Sequence, residues 1–175
     1  MQNYGIEIEF LSYNYYEIFD ILKKYNCVIS FDSKYSNNNE LILKPESTVK
    51  GCELNIPPGF KYLKNLCEDL QPLATFNERC AMHIHVDSKT LNLEKLNEYY
   101  INNEDKIITE ADNLYLNLNY SNSMKVIVRR KNMNINLANM KHGTVEHRIY
   151  KATFNYNDIM FAVNQTLNII ENSQK

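Results

Sequence analysis

An excess of charge of one sign is missing from this 175-residue chain: 19 basic residues stand against 21 acidic ones, for a formal net charge of −2. That balance excludes a global basic field for recruiting nucleic acid or anionic lipid, so a charged ligand must be held by local groups. Long apolar runs are missing as well, and none approaches the roughly 20 residues that span a bilayer. The segment Met1-Gln2-Asn3-Tyr4 passes directly into a strand pattern, without the basic and apolar regions of a signal peptide. A cytoplasmic protein with no membrane partner and no direct nucleic-acid binding is expected. Glycine is scarce, at four residues, and there is no glycine-rich phosphate loop and no Gly-x-Ser-x-Gly elbow. Cys27, Cys52, Cys67 and Cys80 are too scattered for a zinc knuckle or a redox motif. Each lies in an apolar pattern and reads as a buried free thiol. No Cys-His nucleophile arrangement, internal repeat or low-complexity linker is evident. The length fits a single domain over residues 1–175.

What the chain does have is alternation. In Gly5-Ile6-Glu7-Ile8-Glu9-Phe10, Cys52-Glu53-Leu54-Asn55-Ile56, Cys80-Ala81-Met82-His83-Ile84-His85-Val86 and Thr144-Val145-Glu146-His147-Arg148-Ile149, ionisable residues two apart interleave with apolar residues two apart. Strand geometry sends such sets to opposite faces. Between these segments, Tyr15, Ile18, Phe19, Leu22 and Tyr25 recur at helical spacing behind an Asn14/Glu17 capping pattern, predicting a helix from Tyr15 to Tyr25. Cys27–Phe31 and Leu41–Leu43 read as a hairpin across a turn-rich stretch that includes Asp32. A second helix is predicted from Phe60 to Leu70, stopped near Pro72, and Leu93–Leu118 reads as two helices or one kinked near Asn102-Asn103. Met124–Val128 reads as a short extended segment and Tyr156–Ile170 as a terminal helix. Strands and helices without even alternation predict an α+β fold: a mainly antiparallel sheet with helices packed on one face. The other face then carries Glu7, Glu9, Glu53, His83, His85, Glu146 and Arg148.

Residues i and i+2 on a strand are roughly 6.6–7 Å apart and neighbouring strands about 4.8 Å apart. Magnesium holds oxygen ligands at about 2.1 Å, so carboxylates from adjacent strands converge on one ion more readily than two from the same strand. The spacing favours several ions in a row, with Glu7 and Glu9 at neighbouring positions and Glu53, His85 and Glu146 completing them. Arg148 and the Arg129-Arg130-Lys131 cluster match phosphate or carboxylate oxygens through guanidinium forks. Each motif also has a plainer reading, as a solvated strand face, a packed histidine or a cross-strand ion pair. His147, on the face of Val145 and Ile149, reads as a hydrogen-bonded core histidine. His142 reads as a loop residue, and Tyr150, in phase with Arg148, as packing beside the site.

In their order these motifs resemble the amidoligase family, relatives of glutamine synthetase and γ-glutamylcysteine ligase found in bacteria and their viruses. The likeness rests on Gly5-x-Glu7-x-Glu9, on Asp32, on Glu53 to Pro58 against Glu-x-x-Ser-Pro-Pro, on Cys80 to His85 against Cys-Gly-Leu-His-Val-His, and on Thr144 to Thr153. Ile56, Ala81, His147 and Lys151-Ala152 depart from the pattern. The resemblance implies a curved, glutamine synthetase-like sheet that binds ATP with Mg2+ or Mn2+ on its concave side. The implied reaction joins a small-molecule or peptide carboxylate to an amine through an acyl phosphate. Glu7, Glu9, Glu53, His85 and Glu146 are then metal ligands. Arg129, Arg130, His83 and Asn55 contact the cofactor, and Arg148 and Glu146 act in catalysis. Two other functions remain open at this point. One is a non-catalytic binder on the same scaffold, such as a viral inhibitor of a host defence complex; the other is a zinc-dependent hydrolase built on the histidine pair.

Overall fold

The computed structural model describes residues 4–12, 15–29, 41–46, 51–78, 80–115, 135–136 and 143–175. Among these residues, seven strands form one sheet: β1 (Tyr4–Leu11), β2 (Val28–Ile29), β3 (Ile42–Glu46), β4 (Gly51–Ile56), β5 (Ala81–Asp87), β6 (Ile135–Asn136) and β7 (Thr144–Lys151). Their order across the sheet is β2-β3-β4-β1-β5-β7-β6. All neighbours are antiparallel except β2 and β3, which pair in parallel through Val28–Ile42 and Ile29–Leu43. The expected hairpin is therefore overturned, since a tight turn joins only antiparallel strands.

Among the described residues, five α-helices accompany the sheet: α1 (Tyr15–Lys23), α2 (Leu63–Leu70), α3 (Leu93–Asn102), α4 (Glu104–Ala111) and α5 (Tyr156–Ser173). Helix α1 stops short of the predicted Tyr25 because the chain turns at Asn26, whose φ of 56° is left-handed. Helix α2 starts three residues after Phe60 and closes before Pro72. The long pattern from Leu93 splits at Asn103, and α4 continues into a single 3-10 turn over Asp112–Leu114. Asparagine begins two of these helices: Asn92 accepts hydrogen bonds from the amides of Glu94 and Lys95, and Asn155 from those of Asn157 and Asp158.

One apolar core joins sheet and helices. Ile6, Ile8 and Phe10 of β1, Leu54 of β4, Ile84 and Val86 of β5, and Val145 and Ile149 of β7 pack with residues from every helix, including Ile18, Leu66, Leu96, Ile107 and Val163. The helices thus cover one sheet face, the fold class that the alternation predicted. Cys52, Cys67 and Cys80 are buried and Cys27 is half-buried, all as free thiols. Among the described residues, no helix is long and apolar enough to cross a membrane. Asn14, Asp32, Met124–Val128, Arg129, Arg130, Lys131 and His142 lie outside the described residues.

Candidate metal centre

The four motif-bearing strands are contiguous, as β4-β1-β5-β7. Their register decides which polar residues become neighbours. Glu7 stands between Asn55 on β4 and His83 on β5, Glu9 stands opposite Glu53, and His85 lies between Gly5 and Glu146. Gly5 places no side chain beside His85, and a Cβ there would meet the Ile56 carbonyl oxygen at 3.4 Å and Pro58 Cδ at 4.0 Å.

Glu7, His83, His85 and Glu146 converge, each offering one ligand atom, and these atoms all lie within 4.8 Å of one another. His83 donates from Nδ1 to Glu7 Oε1 at 2.6 Å, and Glu146 Oε1 lies 3.1 Å from the same nitrogen. His85 Nε2 is 3.4 Å from Glu7 Oε2, yet it is shut off from solvent and not aligned for a hydrogen bond. Arg148 donates from Nη1 to Glu146 Oε1, while its buried Nε has no partner. His83 and Glu146 are only 1% and 2% exposed, so the floor of this face is not open as the sequence suggested. Glu7, Glu9, Glu53, Asn55, His85 and Arg148 keep partial exposure.

The electrostatics suit a cation. Burial pushes Glu7 up, but the His83 hydrogen bond and the neighbouring His83 and His85 imidazoles outweigh it and hold the carboxyl well below its ordinary range. Burial pushes His85 down, and the carboxylates of Glu7, Glu146 and Glu53 reverse this and raise it. Four ligands placed tetrahedrally at about 2.1 Å lie about 3.4 Å apart, so donors separated by up to 4.8 Å would have to close by as much as about 1.4 Å around one ion.

Glu9 and Glu53 lie on the same face but outside this cluster. Glu9 accepts a hydrogen bond from the Ala81 amide at 2.9 Å, and burial raises its carboxyl above the usual value. Glu53 accepts from Asn55 Nδ2 at 2.8 Å, which ties Asn55 to a carboxylate. His83, expected to contact the cofactor, lies at the centre of this group of converging donors.

Behind the face lie two buried polar contacts. His147 is fully buried and its Nδ1 meets Tyr100 Oη at 2.5 Å. Burial, followed by the influence of His85, pushes its imidazole down to about 3. The core reading of His147 is correct, although nothing in the sequence pointed to Tyr100 beyond its place on the apolar stripe of α3. Tyr150 does not share a face with Arg148. Ile84 pairs with His147 while Met82 pairs with Tyr150, so β7 advances one residue more than β5. This bulge turns Tyr150 into the core, where its hydroxyl meets Thr166 Oγ1 of α5 at 3.0 Å.

Comparison with family models, with curated proteins and with solved structures returned no match.

Proposed function

We propose that this chain is a glutamine synthetase-like, ATP-dependent carboxylate-amine ligase of the amidoligase type, using divalent cations and passing through an acyl phosphate. The observation that supports this reading best is the gathering of Glu7, His83, His85 and Glu146 from three adjacent strands, with Arg148 held against Glu146. Phosphoryl transfer requires little covalent chemistry from the protein. It requires cations and guanidinium groups placed where charge accumulates, and two substrates held in line. Arg148, whose side chain keeps 22% exposure, supplies the guanidinium. Glu9 and Glu53, directly opposite each other one row along, are suited to a further cation position on the same face. The cytoplasmic location and the carboxylate and amine substrates belong to this proposal.

The donor set also favours a second reading. Two imidazoles and a carboxylate are what a zinc hydrolase uses to hold an ion that activates water. Such an enzyme has no use for the Glu9/Glu53 pair, which is why the ligase is preferred. Calorimetric titration of ATP in the presence of Mg2+ or Mn2+ tests the choice. Nucleotide binding by the parent protein that disappears in Glu9→Gln is expected for the ligase. Failure of the parent to bind nucleotide with either ion would overturn it.

A further inference from the structure

Two of the four converging donors are imidazole nitrogens, and they narrow the identity of the ion more than the carboxylates do. Magnesium prefers oxygen ligands in a near-ideal octahedron and usually keeps several of its waters. Here His83 and Glu146 are almost wholly buried, which leaves little room for a hydrated ion at the floor of the site. Imidazole suits ions of borderline softness, and for a given nitrogen and oxygen donor set zinc is held more tightly than manganese. The histidines also show unsatisfied donor capacity. His85 Nε2 lies within the group, buried and without a hydrogen-bond partner, and His83 Nε2 is likewise buried and unpartnered. His83 Nδ1 is crowded by two carboxylate oxygens at 2.6 and 3.1 Å. A dication placed among them would replace one proton with two positive charges facing two carboxylates. Arg148 bonds Glu146 Oε1, the same oxygen that faces His83, and so fixes the orientation of one of those carboxylates.

We infer that Glu7, His83, His85 and Glu146 form a resident transition-metal centre that selects zinc or manganese over magnesium and holds its ion without nucleotide. The inference rests on the cation-binding part of the proposed function but not on ATP or on amide formation. Its distinguishing content is nitrogen ligation. A centre of this kind retains its ion through purification, whereas a magnesium ion that arrives with a nucleotide is exchangeable.

The test uses the full chain stripped with a chelator and titrated separately with Zn2+, Mn2+ and Mg2+ in nucleotide-free buffer. Zinc is expected to bind most tightly, with magnesium weaker by about a hundredfold or more. Pulsed paramagnetic resonance of the Mn2+-loaded parent protein is expected to show coupling to imidazole nitrogen. His85→Ala, at a partly exposed position, is expected to keep the parent circular dichroism and lose most of the zinc affinity. Magnesium binding as tight as zinc, absence of nitrogen coupling, or zinc binding unchanged in His85→Ala would each overturn the inference while leaving the ligase proposal standing. Failure of all three ions to bind would overturn the resident metal centre, while the ligase proposal, whose magnesium can arrive with ATP, would still be decided by the nucleotide titration. The nitrogen coupling is read on the unsubstituted protein, so the result does not depend on any variant folding.

Discussion

Glu7 shows how neighbours reverse the sign of a residue's contribution. Considered with Glu9 and Glu146 alone, it adds like-charge repulsion, and Glu7→Gln should then leave folding unharmed or improve it. The hydrogen bond from His83 and the imidazole of His85 close by make the carboxylate a favourable acceptor instead. Glu7→Gln is therefore expected to destabilise the metal-free protein by about 1–3 kcal/mol, read by urea denaturation at neutral pH. The stabilisation from Glu7 is complete above its unfolded value of 4.5 and is lost as pH falls through the lower folded value. His147 contributes a separate dependence on pH. Its folded value, about 3, lies below the ordinary 6.5, so between these limits the unfolded chain binds a proton that the native chain does not. Stability then falls on acidification by about 1.4 kcal/mol per pH unit across that window. His147→Gln, which keeps a polar partner for Tyr100, should flatten that part of a melting-temperature profile against pH. A profile parallel to that of the parent would contradict the buried neutral imidazole.

At the scale of elements, the strands that carry the chemistry were legible because period-two alternation is a local property: Glu7, Glu9, His83, His85 and Glu146 needed only their own neighbours to be placed on one face. The helices were legible for the same reason, with apolar stripes that end where Asn26, Asn103 and Pro72 interrupt them. Three features were not legible. The parallel pairing of β2 with β3 depends on the path of the connection, and two residues of strand carry no directional signal. The bulge in β7 appears only when β5 is laid beside it, so alternation continued past Ile149 assigned Tyr150 to the wrong face. The separation of Glu9 and Glu53 from the central group reflects hydrogen bonds to the Ala81 amide and to Asn55, which spacing does not encode. The helix starts give a direct test at this scale. Asn92→Ala and Asn155→Ala each remove an acceptor shared by two amides and should cost about 0.5–2 kcal/mol, measured by chemical denaturation, with metal affinity unchanged.

For the molecule as a whole, the proposed metal centre draws its donors from strands distant in sequence, so an ion bound there is expected to stabilise the entire sheet. At a free-ion concentration about a hundred times its dissociation constant, the expected gain is about 2.7 kcal/mol. In a chain of this size that raises the melting temperature by roughly 5–10 °C, and chelation should reverse it. A melting temperature indifferent to added metal would place the ion outside the native fold. The strand order carries a different consequence. The strand of Glu7 is the earliest described in the chain, yet it occupies an inner lane whose two edges are covered by β4 and β5, and the last donor, Glu146, follows more than half the chain later. On the ribosome, its backbone amides and apolar side chains must wait unpaired while those later segments are made. Such non-local pairing is expected to slow folding while strand edges stand exposed, so soluble yield is expected to fall as the expression temperature rises.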